Sequence, residues 1–190
     1  MNQLILASGS PRRKELLEQV GIPCIVRKSD FDESTVTESD PKKLVETLAV
    51  EKGNTIDLQA DQIVLAADTV VSYKQKVLTK PENEADALAM LKDLNGNQHH
   101  VYTGVMIRST TKQVVFSTCT TVQFLQLTED ELNKYIASGE PFDKAGGYGI
   151  QGKGAFLVKE IKGDYYSVVG LPISAVVQLL KEFGVYPVFN

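Results

Sequence analysis

The segment Ser8-Gly9-Ser10-Pro11-Arg12-Arg13 puts two hydroxyls and two guanidinium groups around a glycine, between an apolar run and a helix-forming stretch. At such a junction the unpaired N–H groups of the helix start and the helix dipole favour an anion, and arginine adds donors matched to phosphate oxygens. The chemistry on offer is phosphate binding. No GxxxxGK[ST] sequence occurs, so the segment is not a Walker A loop. Taken alone it also reads as an ordinary helix start, with Ser10 as cap and Arg12 and Arg13 solvated.

Asp68 follows directly on the apolar run Ile63-Val64-Leu65-Ala66-Ala67, which puts a carboxylate near a strand end, where α/β proteins usually place ligands. With Glu33 it makes the small carboxylate set that a hard cation such as Mg²⁺ takes from a protein, the other ligands being water and phosphate oxygens. Asp68 reads equally as a turn cap, and Glu33 as one acid of the solvated stretch Asp30-Phe31-Asp32-Glu33. Lys52 and Lys80 are candidate phosphate partners or, each alone, surface lysines. The run Gly146-Gly147-Tyr148-Gly149-Ile150-Gln151-Gly152-Lys153-Gly154 permits close backbone approach to a planar ligand. Its Gln151 has both donor and acceptor to read a base edge, although such glycines also suit a plain turn ahead of a hairpin.

Other chemistries drop out. His99 and His100 are adjacent, hence on opposite faces of a strand, and no third His or Cys stands at ligand spacing for zinc. Gly-x-Ser-x-Gly is absent and no cysteine lies beside a helix start, which removes acyl transfer. Cys24 and Cys119, far apart in strand-like stretches, read as small buried hydrophobes.

The elements that must position these residues follow from periodicity and punctuation. Residues 3–8 read as a strand, and Arg13, Leu16, Leu17 and Val20 repeat at helical spacing up to Gly21. A second strand falls around 24–28, and Asp40-Pro41 opens a helix with the stripe Leu44, Val45, Leu48 and Ala49, which Lys52 extends. Residues 62–67 read as a buried strand that stops at Asp68-Thr69, followed by a hairpin over Val70–Leu78 turning at Lys74-Gln75-Lys76. Lys80-Pro81 starts the next helix, which Gly96 ends; 98–108 and 113–124 are long strands, and Thr128 with Glu131 caps a helix that stops at Gly139. A hairpin turning near Lys162-Gly163-Asp164 and a last helix from Pro172 to Gly184 complete the chain. Strands alternate with helices early and pair as hairpins later, so the fold class is α/β with a mixed sheet.

A chain of 190 residues with 43% hydrophobic content buries the core of one large domain, or of two lobes sharing a sheet. Without repeats, low-complexity stretches or a Pro/Ser-rich linker, residues 1–190 read as a single domain. The formal charge of −4 argues against a nucleic-acid polymer as partner, while a local cation cluster still admits a small anion. No apolar run is long enough for a bilayer and the N-terminus lacks a signal-peptide pattern, which makes the cytoplasm the expected location and a membrane partner unexpected.

In combination these features resemble the Maf-like nucleotide pyrophosphatases. The resemblance is carried by Leu-Ala-Ser-Gly-Ser-Pro-Arg-Arg-Lys-Glu-Leu-Leu at 6–17, Glu33, Glu-Lys at 51–52, Ala-Asp-Thr-Val at 67–70, Lys-Pro at 80–81, Asp-Lys-Ala-Gly-Gly-Tyr-Gly-Ile-Gln-Gly at 143–152 and Val-Gly-Leu-Pro at 169–172. It implies an elongated, curved mixed sheet with flanking helices in two lobes around a cleft, similar to inosine triphosphate pyrophosphatases. It implies hydrolysis of a nucleoside triphosphate between the α and β phosphates, with a divalent cation, Mg²⁺ or Mn²⁺. On that pattern Asp68 matches the proton acceptor that activates water, Ser8, Arg13, Lys52 and Lys80 match residues around the triphosphate, and Glu33 matches an acid that helps hold the metal. Arg12, Thr69 and Gln151 resemble the set of members assigned to dTTP and UTP, and a glutamine amide does complement the uracil or thymine edge. Modified pyrimidine nucleotides fit that set equally. Gly147 departs from the family pattern, which has alanine there, and should loosen the loop slightly. The resemblance also suggests a homodimer and a part in nucleotide-pool housekeeping and cell-division arrest. A non-catalytic, nucleotide-binding regulator of septum formation is the rival reading.

Overall fold

The computed structural model describes residues 2–189. The chain runs through β1 (Gln3–Leu6), α1 (Pro11–Gln19), β2 (Ile25–Val26), α2 (Pro41–Asn54), β3 (Gln62–Tyr73), β4 (Lys76–Leu78) and α3 (Glu84–Leu94). It continues with β5 (Gln98–Arg108), β6 (Gln113–Phe124), α4 (Glu129–Ile136), β7 (Val158–Lys162), α5 (Tyr165–Val169) and α6 (Ile173–Lys181). The strands form one mixed sheet in the order β2-β1-β3-β5-β6-β7, with β4 paired to β3. β1 is parallel to β2 and β3, while β3–β4 and β6–β7 are antiparallel. The helices α1 and α2 are the crossovers that parallel pairing requires, while β3 and β4 are joined by a tight turn and β7 returns to β6 after a long connection that contains α4. The α/β class with a mixed sheet and flanking helices is therefore as the sequence indicates.

Helix starts follow their caps. The Asp40 carboxylate accepts from the N–H groups of Lys42 and Lys43 at 2.9 and 3.1 Å, with Pro41 in the first helical position. Thr128 and Glu131 form a complete capping box.

Several elements differ from the sequence expectation. The strand expected to stop at Asp68 runs on to Tyr73, because Val70 and Val71 keep filling the core and the Asp68 charge is neutralised within the fold. Asp68 is thus a mid-strand residue and not a strand terminus. The hairpin turns on Lys74 and Gln75 alone, both with positive φ (48° and 65°), as a two-residue primed turn requires. Lys80-Pro81 lies in a loop and does not start a helix; α3 is capped by Asn83, whose side chain accepts from the Asp86 N–H at 3.0 Å. The second strand shrinks to two exposed residues at the sheet edge. Gly163 and Asp164 do not turn a hairpin: Asp164 accepts from Tyr166 N at 2.9 Å at the start of α5, and β7 pairs back onto β6. Cys119 is exposed and Cys24 only half-buried, so neither is a core residue. Among the described residues no helix is long and apolar enough to cross a membrane.

Two compact units result. The first comprises Met1–Asp68, Thr103–Thr118 and Gly170–Asn190, the second Thr69–Tyr102 and Cys119–Val169. In the first, Ile5, Val64 and Ala66 on the sheet pack against Ala49 of α2 and Met106 of β5. Gly104 lets α2 approach β5, since a Cβ there would collide with the Val45 carbonyl. In the second, Leu91 and Leu94 of α3 and Leu132 of α4 pack with Phe124, Tyr148 and Leu157.

Candidate functional site

β1 is buried from Leu4 to Leu6, and the ladder extends one residue further, with Ala7 N–H donating to Leu65 O at 2.8 Å. The chain then leaves the sheet at Ser8. Ser10 occupies the N-cap position of α1, but its side chain makes no capping bond. The work falls to Ser8, only 7% exposed, whose hydroxyl accepts from Ser10 N–H at 3.2 Å and from Arg13 Nη1 at 3.0 Å. Arg13 Nε donates to Gly170 O at 2.8 Å, so the guanidinium is held from two sides and cannot sweep the solvent. Burial holds its pKa below the ordinary arginine range; Asp68 opposes that shift, Arg12 reinforces it and Glu33 opposes it. Each of those groups is thus close enough to be felt. Arginine nevertheless keeps its charge at any working pH.

Lys52 sits in the last turn of α2, where a cation is favoured by the helix dipole. Its ammonium donates to Asp68 Oδ1 at 2.5 Å and lies 2.8 Å from Glu33 Oε1. The side chains of Lys52 and Asp68 are 13% and 10% exposed, whereas Glu33 is 57% exposed. Asp68 is therefore fixed by β3, while Glu33 reaches in from a one-turn 3₁₀ helix, Glu33–Thr35, that Asp32 caps by accepting from Ser34 N–H and Oγ at 3.0 and 2.7 Å. The two carboxylates converge on one cation position, occupied by a tethered ammonium. Among the described residues no group of three or more His, Cys, Asp or Glu is placed to hold a metal ion. The donor set still fits Mg²⁺ or Mn²⁺, which need only one or two carboxylates when a nucleotide brings phosphate oxygens.

Ser8, Arg12, Arg13, Glu33, Lys52 and Asp68 all belong to the first unit, and Thr69, Lys80 and Gln151 to the second. Thr69 is the next residue along β3. Lys80 follows Thr79, whose carbonyl accepts from Gly146 N–H at 3.0 Å, so its loop is tied to the glycine-rich segment. Gln151 is exposed and precedes the 3₁₀ helix Gly152–Leu157; its amide makes no hydrogen bond among the described residues. Gly147 has φ +72°, and the nearest atom to a Cβ there would be Pro81 Cγ at 3.7 Å. The departure from alanine is a relief of backbone strain, not of crowding. Sequence reasoning missed two groups beneath this segment, Glu140 and His99. His99 pairs with Tyr148, 49 positions away, a separation no spacing rule connects.

Over residues 3–183 the chain matches the family described as Maf-like protein. It belongs to that family. A Bacillus cereus relative named dTTP/UTP pyrophosphatase is 52% identical over 186 residues, spanning 97% of each chain. A Bacillus anthracis relative of the same name is 51% identical over the same length, again with 97% of each chain covered. Among solved structures, a HAM1 protein from Coxiella burnetii is similar with a TM-score of 0.55 at 13% identity, covering 96% of this chain and 100% of that one. At that identity the likeness is one of fold. The Maf-like profile spans both units, and the residues quoted for the resemblance lie inside it.

Proposed function

We propose that this Maf-like chain hydrolyses dTTP and UTP between the α and β phosphates, giving the nucleoside monophosphate and pyrophosphate. The carrying observation is the Asp68–Lys52–Glu33 cluster, felt electrostatically by an Arg13 that Ser8 and Gly170 hold. The names of relatives at half identity support the substrate class. A non-catalytic regulator of septum formation would have no use for a buried carboxylate beside a phosphate grip.

Glu33 and Asp68 would hold the divalent cation, which when bound would neutralise charge on the phosphate oxygens. Asp68 takes a proton from the attacking water while the new oxygen–phosphorus bond forms at the α phosphate. The bond to the α–β bridging oxygen breaks, and pyrophosphate leaves with the electron pair. Lys52, drawn off the carboxylates, and Arg13, Ser8 and Lys80 steady the phosphate charge, so the catalytic gain is positioning and electrostatics. Arg12, Thr69 and Gln151 select the base; modified pyrimidine nucleotides fall within the same reading. The reading includes a cytoplasmic enzyme that acts on free nucleotides and pairs as a homodimer, which light scattering on the purified protein tests.

The deciding experiment is pyrophosphate release with Mg²⁺ or Mn²⁺ across common and modified nucleoside triphosphates. Turnover highest with dTTP, UTP or a modified pyrimidine supports the proposal. No release from any nucleotide returns the field to the regulator.

A further inference from the structure

Gln151 sits in a segment that has little stiffness of its own. Gly146, Gly147 and Gly152 all have positive φ, and five of the nine residues from 146 to 154 are glycine. Yet two side chains from outside the segment hold it, one on either side of Gln151. Upstream, Tyr148 is buried, and its hydroxyl lies 2.7 Å from His99 Nε2. The two rings meet edge-on with centroids 5.3 Å apart, and Phe124 completes the cluster at 4.9 Å from His99 and 4.7 Å from Tyr148. Downstream, the Glu140 carboxylate accepts from Lys153 N–H and Gly154 N–H, both at 2.9 Å, and from the Tyr135 hydroxyl at 3.3 Å.

Both anchors are costly to build. His99 is 1% exposed and its Nδ1 has no hydrogen-bond partner among the described residues, a penalty an apolar residue in the same core would not incur. Burial first, and then the neighbouring His100, hold its pKa down at about 3, so the ring stays neutral and its bond to Tyr148 is not switched by ordinary pH. For Glu140, burial pushes the pKa up, but the Gly154 and Lys153 N–H groups, Lys144 and Tyr135 together outweigh it and keep the group ionised. Lys144 Nζ also donates to the Glu140 backbone carbonyl at 2.9 Å, which fixes the residue from its other side.

We propose that His99, acting through Tyr148, and Glu140, acting through the Lys153 and Gly154 amides, are positioning residues that clamp the glycine-rich segment so that the Gln151 amide meets the pyrimidine edge in one orientation. The inference rests on the base-selecting role of Gln151. Neither residue touches the nucleotide. Their contribution is to specificity: a loosened segment lets Gln151 rotate to suit a cytosine edge as readily as a uracil or thymine edge.

The test compares Tyr148→Phe, Glu140→Gln and Gln151→Ala, alone and with each anchor variant combined with Gln151→Ala. Tyr148→Phe keeps the ring stack and removes only the hydroxyl; Glu140→Gln exchanges one acceptor oxygen for a donor facing an N–H. The measured quantities are kcat/KM for dTTP relative to dCTP, and hydrogen exchange of peptides covering 149–154. Each anchor variant should accelerate exchange in that peptide and lower the dTTP/dCTP ratio about tenfold, the equivalent of one lost hydrogen bond. In the Gln151→Ala background the anchor variants should leave the ratio unchanged, which a general loss of folding would not do. A ratio that falls with Gln151→Ala but not with Tyr148→Phe or Glu140→Gln overturns the clamp. If Gln151→Ala itself leaves the ratio intact, the base-reading role fails instead, and unchanged exchange in the anchor variants would then dispose of the anchoring too.

Discussion

Lys52 Nζ lies 2.5 Å from Asp68 Oδ1, joining the end of α2 to the middle of β3 in a pair that is about nine-tenths removed from solvent. Glu33 completes the contact from its exposed turn at 2.8 Å. A buried pair of this kind is weak evidence for stability in itself, but breaking it strands a charge.

Two substitutions therefore separate chemistry from folding. Asp68→Asn keeps the shape and a hydrogen-bond acceptor for Lys52, and should lose turnover by orders of magnitude with its unfolding midpoint little changed. Lys52→Met takes the paired ammonium from the buried Asp68 carboxylate and should cost roughly 3 kcal/mol of stability in urea titration. Near wild-type dTTP turnover in Asp68→Asn would remove Asp68 from the mechanism.

Arg13→Lys offers a narrower test. One ammonium cannot satisfy Gly170 O and Ser8 Oγ together while facing a phosphate, so KM for the triphosphate should rise at least about tenfold. Ser8→Ala should move KM the same way by less, because Arg13 keeps its bond to Gly170. Equal KM values for wild type and Arg13→Lys would count against the phosphate grip.

Chelation makes a third case. Treatment with EDTA should abolish pyrophosphate release, and Mg²⁺ or Mn²⁺ should restore it. The thermal midpoint of the nucleotide-free protein should barely respond, since the Lys52 ammonium already occupies the position between the two carboxylates. A large stabilisation by metal alone would show that the cation position is not shared with Lys52.

His99 gives the protein a dependence on pH. Its folded pKa, about 3, lies below the ordinary histidine value, so in the window between them the unfolded chain holds a proton that the folded chain does not. Stability is complete above the unfolded value and is lost as pH falls, by about 1.4 kcal/mol per pH unit from this one group. His99→Phe should flatten the change in unfolding free energy between pH 7 and pH 5. An unaltered slope would mean that His99 titrates normally.

Gly147→Ala restores the residue of the family pattern at φ +72°. With space available beside Pro81, only backbone strain remains, and unfolding should become easier by about 1 kcal/mol. A stabilised variant would show that the loop backbone differs from that described.

Local signals carried much of the architecture into view. Asp40, Pro41, Thr128 and Glu131 mark helix starts by chemistry confined to a few neighbouring residues, and those elements lie where the sequence indicates. Asp68 shows where local reading stops. A charge after five apolar residues looks like the end of a strand, yet β3 continues through it with the charge met by Lys52 from another element. Lys80-Pro81 misleads in the same way, because proline suits a helix start but the better cap, Asn83, stands just beyond it. The candidate site residues were nameable as types and as a family resemblance. What holds them was not: Ser8 to Arg13 is a short-range bond, but Arg13 to Gly170 and His99 to Tyr148 join positions far apart in the chain.

The ammonium between Glu33 and Asp68 has one more effect on how such an enzyme would behave in a cell. Because it is attached, it competes at a high effective concentration with any loose ion for the two carboxylates. Free Mg²⁺ on its own would gain little by evicting it, whereas a nucleotide carrying the metal would also bring phosphates to receive the lysine. On the proposed function, the resting protein would be insulated from swings in metal supply, and its readiness to act would be set by the arrival of the nucleotide.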